Sequence, residues 1–165
     1  MHTMDTTTAH ILNSINKEFY TKNASSFSQT RTKGWHGWER LVDVCGIPSS
    51  VLDIACGNMR FKSFLEQTAP TTEIAYFGID ACDELCSDAR SSQYQNLDII
   101  SAALEGKDLK RLVDAPQCEL VVAFGFMHHV PTLEARKRIM SLIAEKAVEG
   151  GAACVSFWRF GFVIS

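Results

Sequence analysis

The chain has 165 residues and a formal charge of −3, with 46% hydrophobic and 21% charged residues. That composition belongs to a globular chain long enough for one real core, and it excludes disordered and collagen-like classes. The longest apolar run, Leu120 to Met127, falls far short of the ~20 residues that cross a bilayer, and the opening MHTMDTTTAH lacks the basic and apolar regions of a secretory signal. A single soluble, cytoplasmic domain over 1–165 is therefore expected, with no membrane contact.

Two helices are expected before residue 48. Ile11, Leu12, Ile15 and Phe19 share one helical face and Trp38, Leu41, Val42 and Cys45 another, closed by Gly46 and Pro48. The polar and aromatic stretch between them, Tyr20 to Trp35, is read as a lid over the remainder. From residue 49 short apolar runs alternate with helical patterns. Val51 to Ala55 reads as a first strand and Phe61, Phe64, Leu65 and Thr68 as the helix after it. Ile74 to Ile79 is a second strand, followed by a helix carrying Leu85 and Ala89. Leu97 to Ile100 is expected as a third strand, Leu109 to Val113 as a short helix and Leu120 to Phe124 as a fourth strand. A helix from Thr132 shows Ile139, Leu142, Ile143 and Ala147 and stops at Gly150-Gly151, before a fifth strand over 152–158. Continuous apolar strands separated by helices indicate a parallel sheet covered on both faces. The fold class is α/β, a doubly wound sheet of about five parallel strands.

The six cysteines (45, 56, 82, 86, 118 and 154) include no C-x-x-C pair and mostly lie inside apolar patterns, so free buried thiols are expected rather than disulfides or a metal site. Arg136-Lys137-Arg138 reads as a solvated helix face.

In an open parallel sheet, ligands bind beyond the carboxyl ends of the strands where strand order reverses. The first strand delivers VLDIACGNMRF (51–61) to that place. Gly57 sits in the turn, where backbone must bend tightly and approach a ligand. Asp80 ends the second strand 27 residues after Asp53, where a carboxylate can accept both hydroxyls of a ribose. The turn Ala55-Cys56-Gly57-Asn58-Met59-Arg60 fails the G-x-G-x-x-G pattern of a dinucleotide site. Asp53 would repel a phosphate but suits an ammonium, so the pattern favours a ribose joined to an amino-acid tail, as in S-adenosylmethionine.

Residues 51–61 resemble motif I of the class I S-adenosylmethionine-dependent methyltransferases, and Asp80 resembles their motif II acid; the resemblance implies a Rossmann-like sheet with its strands in the order 3-2-1-4-5. More narrowly, FSQTRTKGW (27–35), FMHHVPTLEARKR (126–138) and GGAACVSFW (150–158) resemble the tRNA wobble-uridine carboxymethyl-ester methyltransferases. The resemblance implies a cofactor site of Arg31, Asp53, Ala55, Gly57, Asp80, Ala81 and Phe124, with Arg31 pairing the methionine carboxylate. It implies an acceptor side of Trp35, Phe126, His128 and Trp158, with His129 as the catalytic candidate. A histidine base serves a hydroxyl or amine acceptor, whereas a carboxylate acceptor is already ionised and needs only alignment. Two glycines of the family's motif I are Ala55 and Met59 here, and Met59 is expected to add bulk beside the cofactor. The acid usual after strand three is expected to be replaced by Ala102, with backbone groups of Ala103 and Leu104 taking its part. The family's usual C-terminal hairpin is not seen in the sequence, so a truncation, or a partner or second copy covering the strand-five edge, is expected.

Two functions follow. The first is methyl transfer to a small-molecule or modified-tRNA acceptor. The second, from another class, is a non-catalytic S-adenosylmethionine-binding or regulatory partner protein.

Overall fold

The computed structural model describes residues 4–30, 34–86 and 93–157. Helix α1 spans Thr6–Thr30 and α2 His36–Cys45. Strand β1 (Ser50–Ile54) leads to α3 (Arg60–Thr68), β2 (Ala75–Asp80) and β3 (Gln93–Asn96). Helices α4 (Ile99–Leu104) and α5 (Leu109–Leu112) precede β4 (Cys118–Ala123), then α6 (Leu133–Lys146) and β5 (Ala147–Val155). The five strands form one sheet in the order β3-β2-β1-β4-β5, every pairing parallel. This is the expected doubly wound architecture.

Alternation along each strand divides the apolar runs between two faces. Val51, Tyr76, Leu120 and Val122 pack with Trp38, Phe61 and Leu65 of α2 and α3. Leu52, Ile54, Ile79, Val121 and Ala123 pack with Ile99, Ile139, Leu142 and Ile143 of α4 and α6. A run such as Leu120-Val121-Val122-Ala123 is apolar at every position because both its faces are covered.

Four boundaries differ from the sequence reading. Leu97 to Ile100 is no strand. Asp98 caps α4, its Oδ1 accepting the Ser101 N–H at 2.9 Å, and the third strand lies just before it in Gln93-Tyr94-Gln95-Asn96. Among the described residues that strand forms the outer edge of the sheet and pairs with β2 alone, which accounts for its polar sequence. Helix α6 ends at Lys146, and β5 begins at Ala147, running through Gly150-Gly151 with a register shift against β4 between Cys118 and Leu120. Gly151 belongs there because a Cβ would stand 2.8 Å from the Glu119 carbonyl oxygen. After β2, residues 82–86 form turns rather than the expected helix, and Ala89 lies outside the described residues.

The largest difference concerns α1. Its apolar stripe of Ile11, Ile15 and Phe19 is 54–57% exposed, while Ala9, Asn13 and Ala24 on the opposite side are buried. Small residues let the helix axis approach α4 closely, and Asn13 then reaches Asp98, donating from Nδ2 to both carboxylate oxygens at 3.1 Å. The expected lid is this same helix, continuous as far as Thr30.

Among the described residues no helix is long and apolar enough to cross a membrane. Cys56, Cys82, Cys86 and Cys118 are buried free thiols, Cys154 is half-buried and Cys45 is exposed.

Candidate active site

A cavity of about 210 Å³ opens beyond the carboxyl ends of β1, β2 and β4, roofed by α1. Its floor is the turn after β1. Ala55 (φ 60°), Gly57 (φ 54°) and Met59 (φ 54°) all adopt left-handed backbone, a conformation that costs roughly 1 kcal/mol or more for a residue with a Cβ. Only Gly57 has the residue type that suits it. Ala55, Gly57 and Asn58 line the cavity, but Met59 does not. Its side chain is 2% exposed and packs inward with Ala24, Cys56, Cys82 and Cys86. It fills the space above Gly78, where a Cβ would stand 2.8 Å from the Met59 methyl carbon. The expected bulk beside the ligand is therefore bulk in the core.

Asp80 stitches two loops together. Its Oδ2 accepts the Gly57 N–H at 2.8 Å and its Oδ1 the Cys82 N–H at 2.9 Å. Burial pushes its carboxyl up, and the backbone donors from Gly57, Cys82 and Ala81 oppose that shift. A carboxylate has about four lone-pair sites, so this one keeps capacity for hydroxyls from a ligand. Asp53 is drier, at 3% exposed, and accepts a hydrogen bond from the Tyr76 hydroxyl. Burial, opposed by that bond and reinforced by the charge of Asp80, raises its carboxyl to about 7.

The site contains an acid that the sequence reading missed. Asp98 lines the cavity with Leu97, Ile99 and Ile100, held by Asn13, by the Ser101 N–H and by Lys17 Nζ at 3.9 Å. Ala102 and Ala103 are instead buried inside α4, and Leu104 packs against the same core. The expectation for Ala103 and Leu104 is corrected accordingly, because the strand ends earlier than the apolar pattern suggested. The signal was present as an Asp followed by Ile-Ile-Ser, a helix N-cap.

The opposite wall comes from the end of β4. Phe124, Phe126, His128 and His129 line it, with Trp35 and Trp38 from the α2 side and Tyr20 and Phe27 from α1. His129 Nε2 lies 3.0 Å from the Tyr20 hydroxyl, and the rings of His128 and His129 are 4.0 Å apart. Burial, reinforced by the charge of His128, lowers His129 to about 4. The Arg60 guanidinium lies 5.6 Å from the Trp35 ring centre and 5.5 Å from that of Trp38. The structure thus brings Trp35, Asp53, Ala55, Gly57, Asp80, Ala81, Phe124, Phe126, His128 and His129 to one cavity. Arg31 and Trp158 lie outside the described residues.

A parallel sheet of this order, with its cavity at the strand-order reversal and an acid ending β2, is the fold of class I S-adenosylmethionine-dependent methyltransferases. Solved structures agree. The chain superposes on the DhpI–SAM–HEP complex with a TM-score of 0.59 at 14% identity, covering 88% of this chain and 64% of that one. For the DhpI–SAH complex the values are 0.62, 15%, 87% and 68%. For the sugar N-methyltransferase KedS8 from Streptoalloteichus sp ATCC 53650 they are 0.60, 17%, 81% and 53%. In sequence the chain is similar to the protein named "Putative methyltransferase ECU09_1500" of Encephalitozoon cuniculi (strain GB-M1), 30% identical over 141 residues. The match covers 85% of this chain and 60% of that relative's length. No family model matches the chain.

Proposed function

We propose that the chain binds S-adenosylmethionine in this cavity and transfers its methyl group to a small-molecule or modified-tRNA acceptor. The observation that carries the reading is Asp80, fixed by the Gly57 and Cys82 N–H groups at the mouth of the strand-order reversal. Asp80 would hold the ribose hydroxyls, and Asp98 with Ile99 and Leu85 would flank the adenine. Asp53 and the Gly57 turn would receive the amino-acid tail. A further feature fits that tail: Trp38 Nε1 is a buried N–H with no hydrogen-bond partner among the described residues, on a side chain of the cavity wall, and a carboxylate would satisfy it. The aromatic faces of Phe124 and Trp35 suit a sulfonium cation. When bound, S-adenosylmethionine supplies a methyl group on a positively charged sulfur that leaves as a neutral thioether.

The relative in Encephalitozoon cuniculi carries the name methyltransferase, and DhpI is described with SAM and with SAH, which supports the same cofactor here. A small-molecule acceptor is the simpler choice. The formal charge is −3, and within the basic cluster Arg136 donates to the Val130 carbonyl and Arg138 pairs with Glu134, which leaves little cationic surface for tRNA phosphates. Met59 is buried away from the cavity and so gives no support to a non-catalytic binder.

Calorimetry with S-adenosylhomocysteine tests the cofactor. Micromolar binding is expected, and silence at millimolar ligand would overturn the reading. Labelled methyl transfer to total tRNA and to a metabolite extract then separates the two acceptor classes, with label expected in the extract.

A further inference from the structure

Tyr20 and His129 are 109 residues apart and meet in one hydrogen bond of 3.0 Å at the cavity wall. Helix α1 carries the phenol across the roof. The turn after β4 carries the imidazole, and that turn is fixed by the His129 backbone N–H donating to the Phe126 carbonyl at 2.9 Å. The Tyr20 and His129 rings stand at 89° with centres 5.6 Å apart, and the Phe27 ring meets Tyr20 at 83° and 5.2 Å. These contacts set the phenol in place, so its oxygen is positioned by packing as well as by the imidazole.

A phenol O–H is a stronger donor than an imidazole N–H, and imidazole nitrogen is a stronger acceptor than phenol oxygen. Tyr20 therefore donates to Nε2, which leaves His129 neutral with its other nitrogen protonated. Burial and the neighbouring His128 hold His129 down to about 4, so the ring stays neutral, with a single N–H, throughout the neutral range. The titratable and charged groups around the pair are His128 on the same turn and, lining the same cavity, Lys17, Asp53, Cys56, Arg60, Asp80, Cys82 and Asp98.

We infer that Tyr20 and His129 form a proton relay, with Tyr20 the catalytic residue that touches the acceptor, and that the acceptor is a hydroxyl compound rather than a carboxylate. This rests on the methyltransferase reading. The acceptor oxygen forms the bond to the methyl carbon, and the carbon–sulfur bond breaks with its electron pair remaining on sulfur. The hydroxyl proton passes to the Tyr20 oxygen as Tyr20's own proton moves to His129 Nε2. The cavity then begins with a sulfonium and a neutral imidazole and ends with a thioether and an imidazolium, so its charge is unchanged. That conservation lets an imidazole of low basicity take the proton in a poorly solvated site. A carboxylate acceptor would need no such pair. It would call for a cation, and both described cations on the cavity wall have other neighbours, Lys17 at Asp98 and Arg60 over Trp35 and Trp38.

The test follows histidine nitrogen resonances of the full chain by NMR across pH. The expected result is a His129 with Nδ1 protonated and Nε2 bare down to about pH 5, and an Nε2 resonance that moves in Tyr20→Phe, which keeps the ring packing. A protonated Nε2 in the unaltered protein, or a resonance indifferent to Tyr20→Phe, overturns the relay. In a second arm the protein, labelled S-adenosylmethionine and a metabolite extract are incubated and the product is treated with mild alkali. An ether retains the label, as the proposal requires, whereas release of volatile methanol marks an ester and overturns it. Tyr20→Phe and His129→Gln should each lower kcat by roughly 10²–10⁴-fold with little change in KM, and full kcat in either variant counts against the relay. S-adenosylhomocysteine calorimetry on the unaltered chain separates the failures: no binding sinks the methyltransferase reading, while binding with a protonated Nε2 sinks only the relay.

Discussion

The floor and the roof of the cavity are held by different forces. The floor, from Ala55 to Met59 and on to Asp80, is fixed by backbone: three left-handed residues, two N–H donors on one carboxylate, and a buried methionine beneath. The roof is α1, attached through side chains, chiefly Asn13 on Asp98 and Tyr20 on His129, with an apolar stripe turned outward. A surface built from backbone presents its ligand groups with little freedom left to lose. A helix fastened by a few side-chain bonds opens at low cost, which suits the side through which ligands enter.

The largest effect should come from the driest point of the floor. Asp53 has its proton held to about 7 in the folded protein against 3.8 as the ordinary value. The folded state therefore binds that proton more tightly than the unfolded one. The stability it favours is fully present below pH 4 and is lost as pH rises through 7, by up to roughly 4 kcal/mol. Asp53→Asn keeps an acceptor for Tyr76 and should remove this slope. Urea unfolding at pH 5 and pH 8 measures it, and equal slopes in both proteins would show that the floor is not under this strain.

Next is Asp80→Ala, which orphans the Gly57 and Cys82 N–H groups and removes the proposed ribose acceptor. S-adenosylhomocysteine affinity should fall by roughly 100-fold, about 2.7 kcal/mol, as read by calorimetry. A loss under threefold would move the ligand away from the floor.

Met59→Gly sets strain against packing. Relief of a left-handed methionine returns about 1 kcal/mol, but deletion of a buried side chain costs about 2–5 kcal/mol. Net destabilisation of about 1–4 kcal/mol is expected in chemical unfolding. A stabilised variant would mean that the methionine supports nothing beneath the floor.

The smallest effect belongs to the roof. Asn13→Ala removes the α1 hydrogen bonds to Asp98, leaving Lys17 at 3.9 Å, and should cost about 1 kcal/mol. Its signature is faster amide exchange confined to α1 while β1 and β4 keep their protection. Uniform acceleration would mean that roof and floor unfold as one unit.

Not every part of this arrangement is visible along the chain. Leu120 to Ala123 is apolar without interruption, which requires two covered faces and hence a doubly wound sheet. Gly57 and Asp80 stand at positions where turn geometry and strand ends dictate both residue type and place. Asp98 escaped because β3 is an edge strand. With only one strand neighbour, Gln93-Tyr94-Gln95-Asn96 needs no continuous apolar run, so the next apolar residues were read as the strand and their cap as its interior. The exposed face of α1 escaped for a related reason. Periodicity places Ile11, Ile15 and Phe19 on one side but is silent on which side the rest of the chain occupies, and Ala9 and Ala24 won because their small size allows close approach.

Local patterning by itself therefore determined the doubly wound parallel sheet and the acid-and-glycine floor, since alternation and turn chemistry act over a few neighbouring residues. Tertiary structure alone decided that Met59 turns inward, that Asp98 faces the cavity, and that Tyr20 meets His129. Each of these depends on contacts between segments far apart in sequence, and side-chain direction at such contacts is set by the space that the assembled helices and strands leave.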